Sequence, residues 1–230
     1  LSDLINILNK SNINIIFLMH STKDPEHDES KRLFLIKDAM RLCNRVIVHT
    51  IGDLNRLKKL DLVDNVSLIP HGIIDFDPKD NFFKSLKDKL FFGKVFKVAS
   101  YGFCLPNKGY KELIQSIKIL KNKKISIKLE IFSAIYSEEY YWYYEELCDL
   151  VTKLELSDCI TINNEYMEDS DTLEKLASNH CLVFPYQASN ESSSAAVRHG
   201  LASLVPVLVT PLSIFDDISD YVCKLSGFSP

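Results

Sequence analysis

Apolar residues recur along this chain in two rhythms: short unbroken runs, and longer stretches spaced at three and four positions. Residues 12–19, Asn-Ile-Asn-Ile-Ile-Phe-Leu-Met, form a β-branched run that predicts a strand. Residues 29–43 place Leu33, Leu35, Ile36, Ala39, Met40 and Cys43 at helical spacing. Residues 45–50 predict a second strand, 52–60 a short helix, and 65–70 a third strand ended by Pro70. Residues 75–81 are polar and turn-rich, and a mixed Phe/Lys stretch follows them. A second series then starts, with strands predicted over 94–100, 125–132, 159–162, 180–184 and 205–209. Between them lie predicted helices over 110–121, 138–154, 172–178 and 193–203. Short apolar strands alternating with helices imply an α/β fold with parallel sheets covered on both faces. In such sheets ligands bind at the carboxyl ends of the strands.

The break in pattern divides the chain into a first unit over 1–78, a linker over 79–93 and a second unit over 94–230. The chain opens at Leu1 inside a helix-like pattern over 1–8, so it reads as a fragment. Its length of 230 residues fits one large or two small domains. The hydrophobic share of 46% and charged share of 25% are those of an ordinary globular protein. A net charge of −4 gives no bulk electrostatic case for nucleic acid. The longest apolar run, residues 13–19, is too short to span a bilayer. Six scattered cysteines without a CxxC pair read as buried thiols of a reducing compartment. The run Tyr140-Tyr141-Trp142-Tyr143-Tyr144 lies on a predicted helix and points all round it. Core or interface packing is the simpler reading of that run, and a stacking platform the other.

Three places could carry chemistry. The segment Gly102-Phe103-Cys104-Leu105-Pro106-Asn107-Lys108-Gly109 follows a strand and opens a helix. Backbone N–H groups at a helix start favour anions, and Lys108 adds a full charge, so phosphate is the natural ligand. The spacing is neither Walker A nor GxGxxG, and a plain strand-to-helix turn eased by Gly109 is the alternative. The ten-residue loop 185–194 also joins a strand to a helix. It offers Glu191 and the triplet Ser192-Ser193-Ser194, more than a simple cap requires. His20 follows the first strand, where an imidazole can meet substrate. His71 follows the third strand, while His27, His49 and His180 show no constellation and receive no role. No His, Asp, Glu or Cys set has metal-ligand spacing, and no GxSxG elbow is present.

Two of these segments resemble one family. Residues 101–114, Tyr-Gly-Phe-Cys-Leu-Pro-Asn-Lys-Gly-Tyr-Lys-Glu-Leu-Ile, resemble the GRLxxxKGxxxLI segment of family 4 retaining glycosyltransferases. Residues 191–210 align without a gap to that family's ExFGxxxxEAMAxGxPVxxT segment, and Pro70-His71-Gly72-Ile73 is similar to its PxGV at the domain junction. His20 and residues 46–50 fit the end of its acceptor domain. The resemblance covers nearly the whole chain, and the order and spacing of the motifs strengthen it.

The resemblance implies a GT-B fold: two Rossmann-like domains with parallel sheets, the N-terminal one incomplete, and the donor in the C-terminal one. It implies that Lys108 holds the donor diphosphate, that Gly102 belongs to the donor-binding set, that backbone amides near Ser193 and Ser194 meet phosphate, and that Glu191 contacts the donor sugar. His20 would stand near the reacting centre, so Glu191 and His20 are the expected catalytic residues. No metal or other cofactor is implied, since Lys108 and helix N-termini would stabilise the leaving group. The implied partners are a nucleotide-sugar and a glycan or lipid-linked acceptor, as in bacterial surface-polysaccharide synthesis. The implied setting is the cytoplasm, compatible with peripheral association at the inner face of the membrane.

Two positions depart from the family. Phe103 stands where it has an arginine, and Arg198 could supply charge instead. His199 stands where it has the second glutamate, which binds ribose; an imidazole cannot do so in bidentate fashion. These departures leave open a degenerate GT-B domain that binds a ligand or partner without catalysis. An epimerase on the same scaffold is a further alternative, whereas a phosphorylase would need a pyridoxal lysine site that the sequence does not show. A full acceptor domain would have further strands and a glycine-rich loop before Leu1, and a closing helix is expected after Pro230.

Overall fold

The apolar run over 12–19 becomes a strand only in its second half. In the computed structural model, which describes residues 2–24, 32–76 and 95–230, the first helix α1 spans Ser2–Lys10 and the first strand β1 spans Ile16–Met19. Between them Asn12 takes a left-handed φ of 55° and Ile13 N–H donates back to Leu8 O at 3.2 Å. Those bonds close the helix end and keep Asn12 and Ile13 out of the sheet. The helical spacing over 29–43 is realised as a 3-10 turn, Leu33–Ile36, followed by α2, Lys37–Arg41. Arg32 supplies no side-chain cap to that turn, and residues 29–31 lie outside the described residues.

β2 (Arg45–Val48), α3 (Ile51–Lys58) and β3 (Val66–Leu68) complete a three-stranded parallel sheet in the order β1-β2-β3. Thr50 caps α3, its hydroxyl accepting from Asp53 N–H. Met40, Val46, Val48 and Leu57 are wholly buried in one cluster with Ile5 and Leu62. Removing each such side chain from water is worth about 1.5–3 kcal/mol.

The second sheet has six parallel strands: β4 (Phe96–Phe103), β5 (Ile127–Ala134), β6 (Ile160–Asn163), β7 (Cys181–Phe184), β8 (Val207–Val209) and β9 (Cys223–Lys224). Their order is β6-β5-β4-β7-β8-β9. The winding therefore reverses between β4 and β7, the place where open α/β sheets leave a crevice. β4 runs three residues past its expected end at Ser100, because Gly102 and Phe103 still pair with Ser133 and Ala134 of β5. All four residues of β7 are buried, as a central parallel strand requires.

Helices α4 (Tyr110–Asn122), α5 (Tyr141–Lys153), α6 (Asp169–Ala177) and α7 (Ala195–Ala202) connect these strands. α4 buries Tyr110, Leu113, Ile114 and Ile117, a single helical stripe. Gly200 lets α7 lie on β7: a Cβ there would stand 2.9 Å from the Phe184 ring. In the aromatic run only Tyr143 is fully buried, while Tyr141 and Trp142 are exposed. Beyond residue 209 the structure adds a 3-10 helix, Ser213–Tyr221, and β9, whose two residues are both exposed and so give no apolar signal.

The chain forms two compact units that are not continuous in sequence. The first comprises Leu1–Gly72, Ser189–Ser194 and Ser213–Asp217; the second comprises Ile73–Ala188, Ala195–Leu212 and Ile218–Pro230. The expected linker over 79–93 lies outside the described residues.

Candidate functional site

In the second unit the candidate chemistry starts at the carboxyl end of β4. Gly102 has a φ of 144°, a conformation that side chains rarely adopt, and it is the penultimate residue of the strand, not part of the turn. Pro106–Lys108 form one 3-10 turn, and Gly109 at φ 76° is the N-cap of α4. A Cβ on Gly109 would fall 1.8 Å from the carbonyl oxygen of Pro185, so no other residue fits without backbone movement. Gln187 N–H donates to Asn107 O at 2.9 Å, and Asn107 Nδ2 donates to Ala188 O at 3.2 Å. This stitching fixes Lys108, which is only 8% exposed, with its Nζ 3.9 Å from the centre of the Tyr186 ring. A cation held against an aromatic face and largely out of water attracts an anion more strongly than a surface lysine does.

On α7, Arg198 is buried. His199 Nε2 lies 3.0 Å from Asp169 Oδ1, at the start of α6, and its ring centre is 5.3 Å from that of Tyr101. Phe103, in the position where the resemblance expects arginine, is exposed and meets Tyr136 edge-on at 5.2 Å. Burial pushes the Cys104 and Cys181 thiols up to about 11. The expectation of buried thiols holds for Cys43, Cys104 and Cys181 but not for Cys223, which is exposed on the edge strand β9.

The other candidate residues belong to the first unit. Ser192, Ser193 and Ser194 are buried and precede α7, which starts at Ala195 and not at Ser193 as the spacing predicts. Glu191 is exposed. The segment is held at its carbonyls: Lys23 Nζ donates to Ser189 O at 3.3 Å and to Glu191 O at 3.1 Å, and Ser21 Oγ donates to Asn190 O at 2.8 Å. Ser192 Oγ donates to Asp53 Oδ1 at 2.5 Å.

Asp53 is a wholly buried carboxylate on the first turn of α3. It also accepts from the Thr22 hydroxyl at 2.6 Å, the Thr50 hydroxyl at 2.6 Å and Arg56 Nη2 at 2.7 Å. Burial pushes its pKa up, but bonds from Ser192, Thr22, Thr50 and Arg56 outweigh that and hold it below the usual carboxylate value. Burial, then the Arg56 charge, lowers the pKa of Lys23.

His20, exposed at the end of β1, is one of three gathered imidazoles. Its ring centre lies 5.5 Å from that of His49 and 6.4 Å from that of His71, and the latter two are 5.1 Å apart. His49, which shows no partner in the sequence, is thus a member of a cluster at the carboxyl ends of the first sheet. It is buried, with Nδ1 2.9 Å from Ile69 O. His180 accepts from Lys97 N–H at 2.8 Å, and His27 lies outside the described residues. Among the described residues no group of three or more His, Cys, Asp or Glu could hold a metal ion, and no helix is long and apolar enough to cross a membrane.

The structure therefore places His20, Glu191, Ser193 and Ser194 in the first unit and Gly102, Lys108, Arg198 and His199 in the second. Sequence reasoning missed Asp53, Lys23, Arg56, His49 and Asp169. Only Asp53 left a signal, the capping pattern Thr50-Ile51-Gly52-Asp53.

No family model matches the sequence, and no curated protein matches it. Solved structures do match the fold. HepE of Anabaena, in complex with UDP and glucose, superposes with a TM-score of 0.76 at 13% identity over 100% of this chain and 63% of its own. A UDP-forming α,α-trehalose-phosphate synthase of Burkholderia xenovorans in complex with glucose-6-phosphate gives 0.70 at 9% identity, over 96% of this chain and 59% of its own. A glycosyltransferase of Rickettsia africae gives 0.68 at 13% identity, over 97% and 65%. This chain spans less than two thirds of the length of each. The fold is of the GT-B type, with two Rossmann-like units built on parallel sheets.

Proposed function

We propose that this chain carries the donor-binding unit and part of the acceptor-side unit of a glycosyltransferase that moves a sugar from a nucleotide-sugar with retention. The reading rests above all on Lys108: a nearly buried lysine fixed at the carboxyl end of the strand where the second sheet reverses its winding. In this reading Lys108 and the start of α4 neutralise the donor diphosphate and stabilise it as it leaves, so neither metal nor other cofactor is needed. Glu191 contacts the donor sugar, amides near Ser193 and Ser194 meet phosphate, and His20 stands by the reacting centre. Arg198 adds positive charge near the diphosphate, and His199 takes up a ribose hydroxyl. The acceptor is a glycan or a lipid-linked sugar of bacterial surface polysaccharide, reached at the inner face of the membrane. HepE carries UDP and glucose and the trehalose-phosphate synthase is UDP-forming, which favours UDP as the nucleotide.

Calorimetric titration with UDP, GDP, ADP, CMP and dTDP tests this. UDP should bind, and Lys108→Ala should weaken it at least tenfold, about 1.4 kcal/mol. Failure of folded protein to bind any of the five would overturn the donor-site reading.

A second reading is a GT-B domain that binds ligand or partner without turnover. It is favoured by Phe103, which stands edge-on to Tyr136 in place of an arginine, and by His199, whose Nε2 already faces Asp169. Sugar transfer that is abolished by Glu191→Ala in the full-length protein would exclude it.

A further inference from the structure

The loop that carries Glu191 is held in part by residues far from it in sequence. From Ser189 to Ser192, every residue is gripped through a carbonyl or a hydroxyl by residues of the first 56 positions. Three successive carbonyls, of Ser189, Asn190 and Glu191, accept from Lys23 and Ser21. Lys23 Nζ is in turn 3.4 Å from Ser213 Oγ of the same unit. The last grip is on the Ser192 hydroxyl, which donates to Asp53 at 2.5 Å and accepts from Arg56 Nη2 at 3.2 Å. With its carbonyl side occupied, the loop leaves the Glu191 side chain exposed.

Asp53 can perform this because it is itself over-determined. Thr22 donates to it through both N–H, at 3.1 Å, and hydroxyl; Thr50 holds its second oxygen; Arg56 Nε braces the Thr22 hydroxyl at 2.7 Å. A buried carboxylate ringed by hydrogen bonds is a rigid anchor, because displacing it would strain several bonds at once. A structural carboxylate would need only enough donors to satisfy itself. Here one donor is supplied from a segment 139 positions away, next to the residue expected to touch the sugar.

We infer that Asp53 is a positioning residue: acting through Ser192, with Lys23 and Ser21 on the neighbouring carbonyls, it sets the backbone of Ser189–Ser192 and so the presentation of Glu191 to the donor sugar. This rests on the donor-site reading above. It assigns a determinant of sugar recognition to α3, in the first unit.

The test compares wild type, Asp53→Asn and Ser192→Ala in two measurements. In hydrogen–deuterium exchange, amides of residues 189–194 should exchange at least tenfold faster in both variants, with β4–β7 protection unchanged. In calorimetry, UDP should bind both variants within about twofold of wild type. The extra affinity of UDP-glucose over UDP should fall at least fivefold. Unchanged exchange in both folded variants would overturn the anchor, and so would equal weakening of UDP and UDP-glucose. Should Asp53→Asn fail to fold, Ser192→Ala, which leaves the Thr22, Thr50 and Arg56 bonds in place, decides alone. If wild type binds no UDP, the donor reading fails while exchange still judges whether Asp53 holds the loop.

Discussion

The Lys108 turn and the Glu191 loop both connect a β-strand to an α-helix, yet they are fixed by different physics. The turn is fixed by close packing and by neutral hydrogen bonds: Gly109 lies against the Pro185 carbonyl, Tyr110 is sunk in the core behind it, and Asn107 bonds Gln187 and Ala188. Its geometry follows from excluded volume and from bonds between neutral groups, which pH does not alter. The loop is fixed by polar bonds that converge on one buried carboxylate and one lysine, with little apolar packing at Ser189–Glu191. Its geometry therefore depends on the ionisation of Asp53. The loop is therefore the segment that can be altered without disturbing the core.

The contrast is broken most directly at Gly109. Gly109→Ala must displace the Pro185 carbonyl and strain a left-handed φ, so thermal or denaturant unfolding should show a loss of about 3 kcal/mol or more. A loss below about 1 kcal/mol would mean that the turn is not sterically determined. Asp53→Ala should cost less, about 2 kcal/mol, because Arg56 is partly exposed and can be rehydrated while Thr22 and Ser192 lose a buried partner. Gly102→Ala should cost about 1 kcal/mol, from backbone conformation alone, since its nearest neighbours stand at ordinary contact distances of 3.4 Å and more.

Acid sharpens the comparison. Asp53 is held below its ordinary value of 3.8, facing Arg56 and, at longer range, Lys23. A carboxylate with a depressed folded pKa contributes its full stability above the unfolded value, and that contribution is lost as pH falls through the folded one. The difference in unfolding midpoint between wild type and Asp53→Asn should therefore be constant from neutral pH down to about 5 and close below 3.8. No such closure should occur for Gly109→Ala. The smallest effect is expected at the exposed pair Lys121–Asp158, 2.7 Å apart, where Asp158→Asn should leave the midpoint unchanged.

The succession of strands and helices could be read along the chain because parallel sheets bury whole strands and leave continuous apolar runs, as in Cys181–Phe184. The Lys108 turn was legible for a related reason: strand, turn and helix are contiguous, so the local sequence contains most of what shapes them. Edges were less legible. β9 is a two-residue exposed strand, and Leu33–Ile36 winds as a 3-10 turn where the spacing alone indicates an α-helix.

What the sequence determined by itself was the α/β alternation, its division into two series, and the local frames that carry His20, Lys108 and Glu191. What only the tertiary structure decided was which side chains those frames meet. The membership of Ser189–Ser194 in the first unit, the gathering of His20, His49 and His71, and the bond from Ser192 to Asp53 are all contacts between positions far apart in sequence. Apolar periodicity records whether a residue is buried. It does not record what a buried polar group is bonded to, because that depends on donors brought in from distant strands and loops, and Asp53 is the case in which the two diverge most.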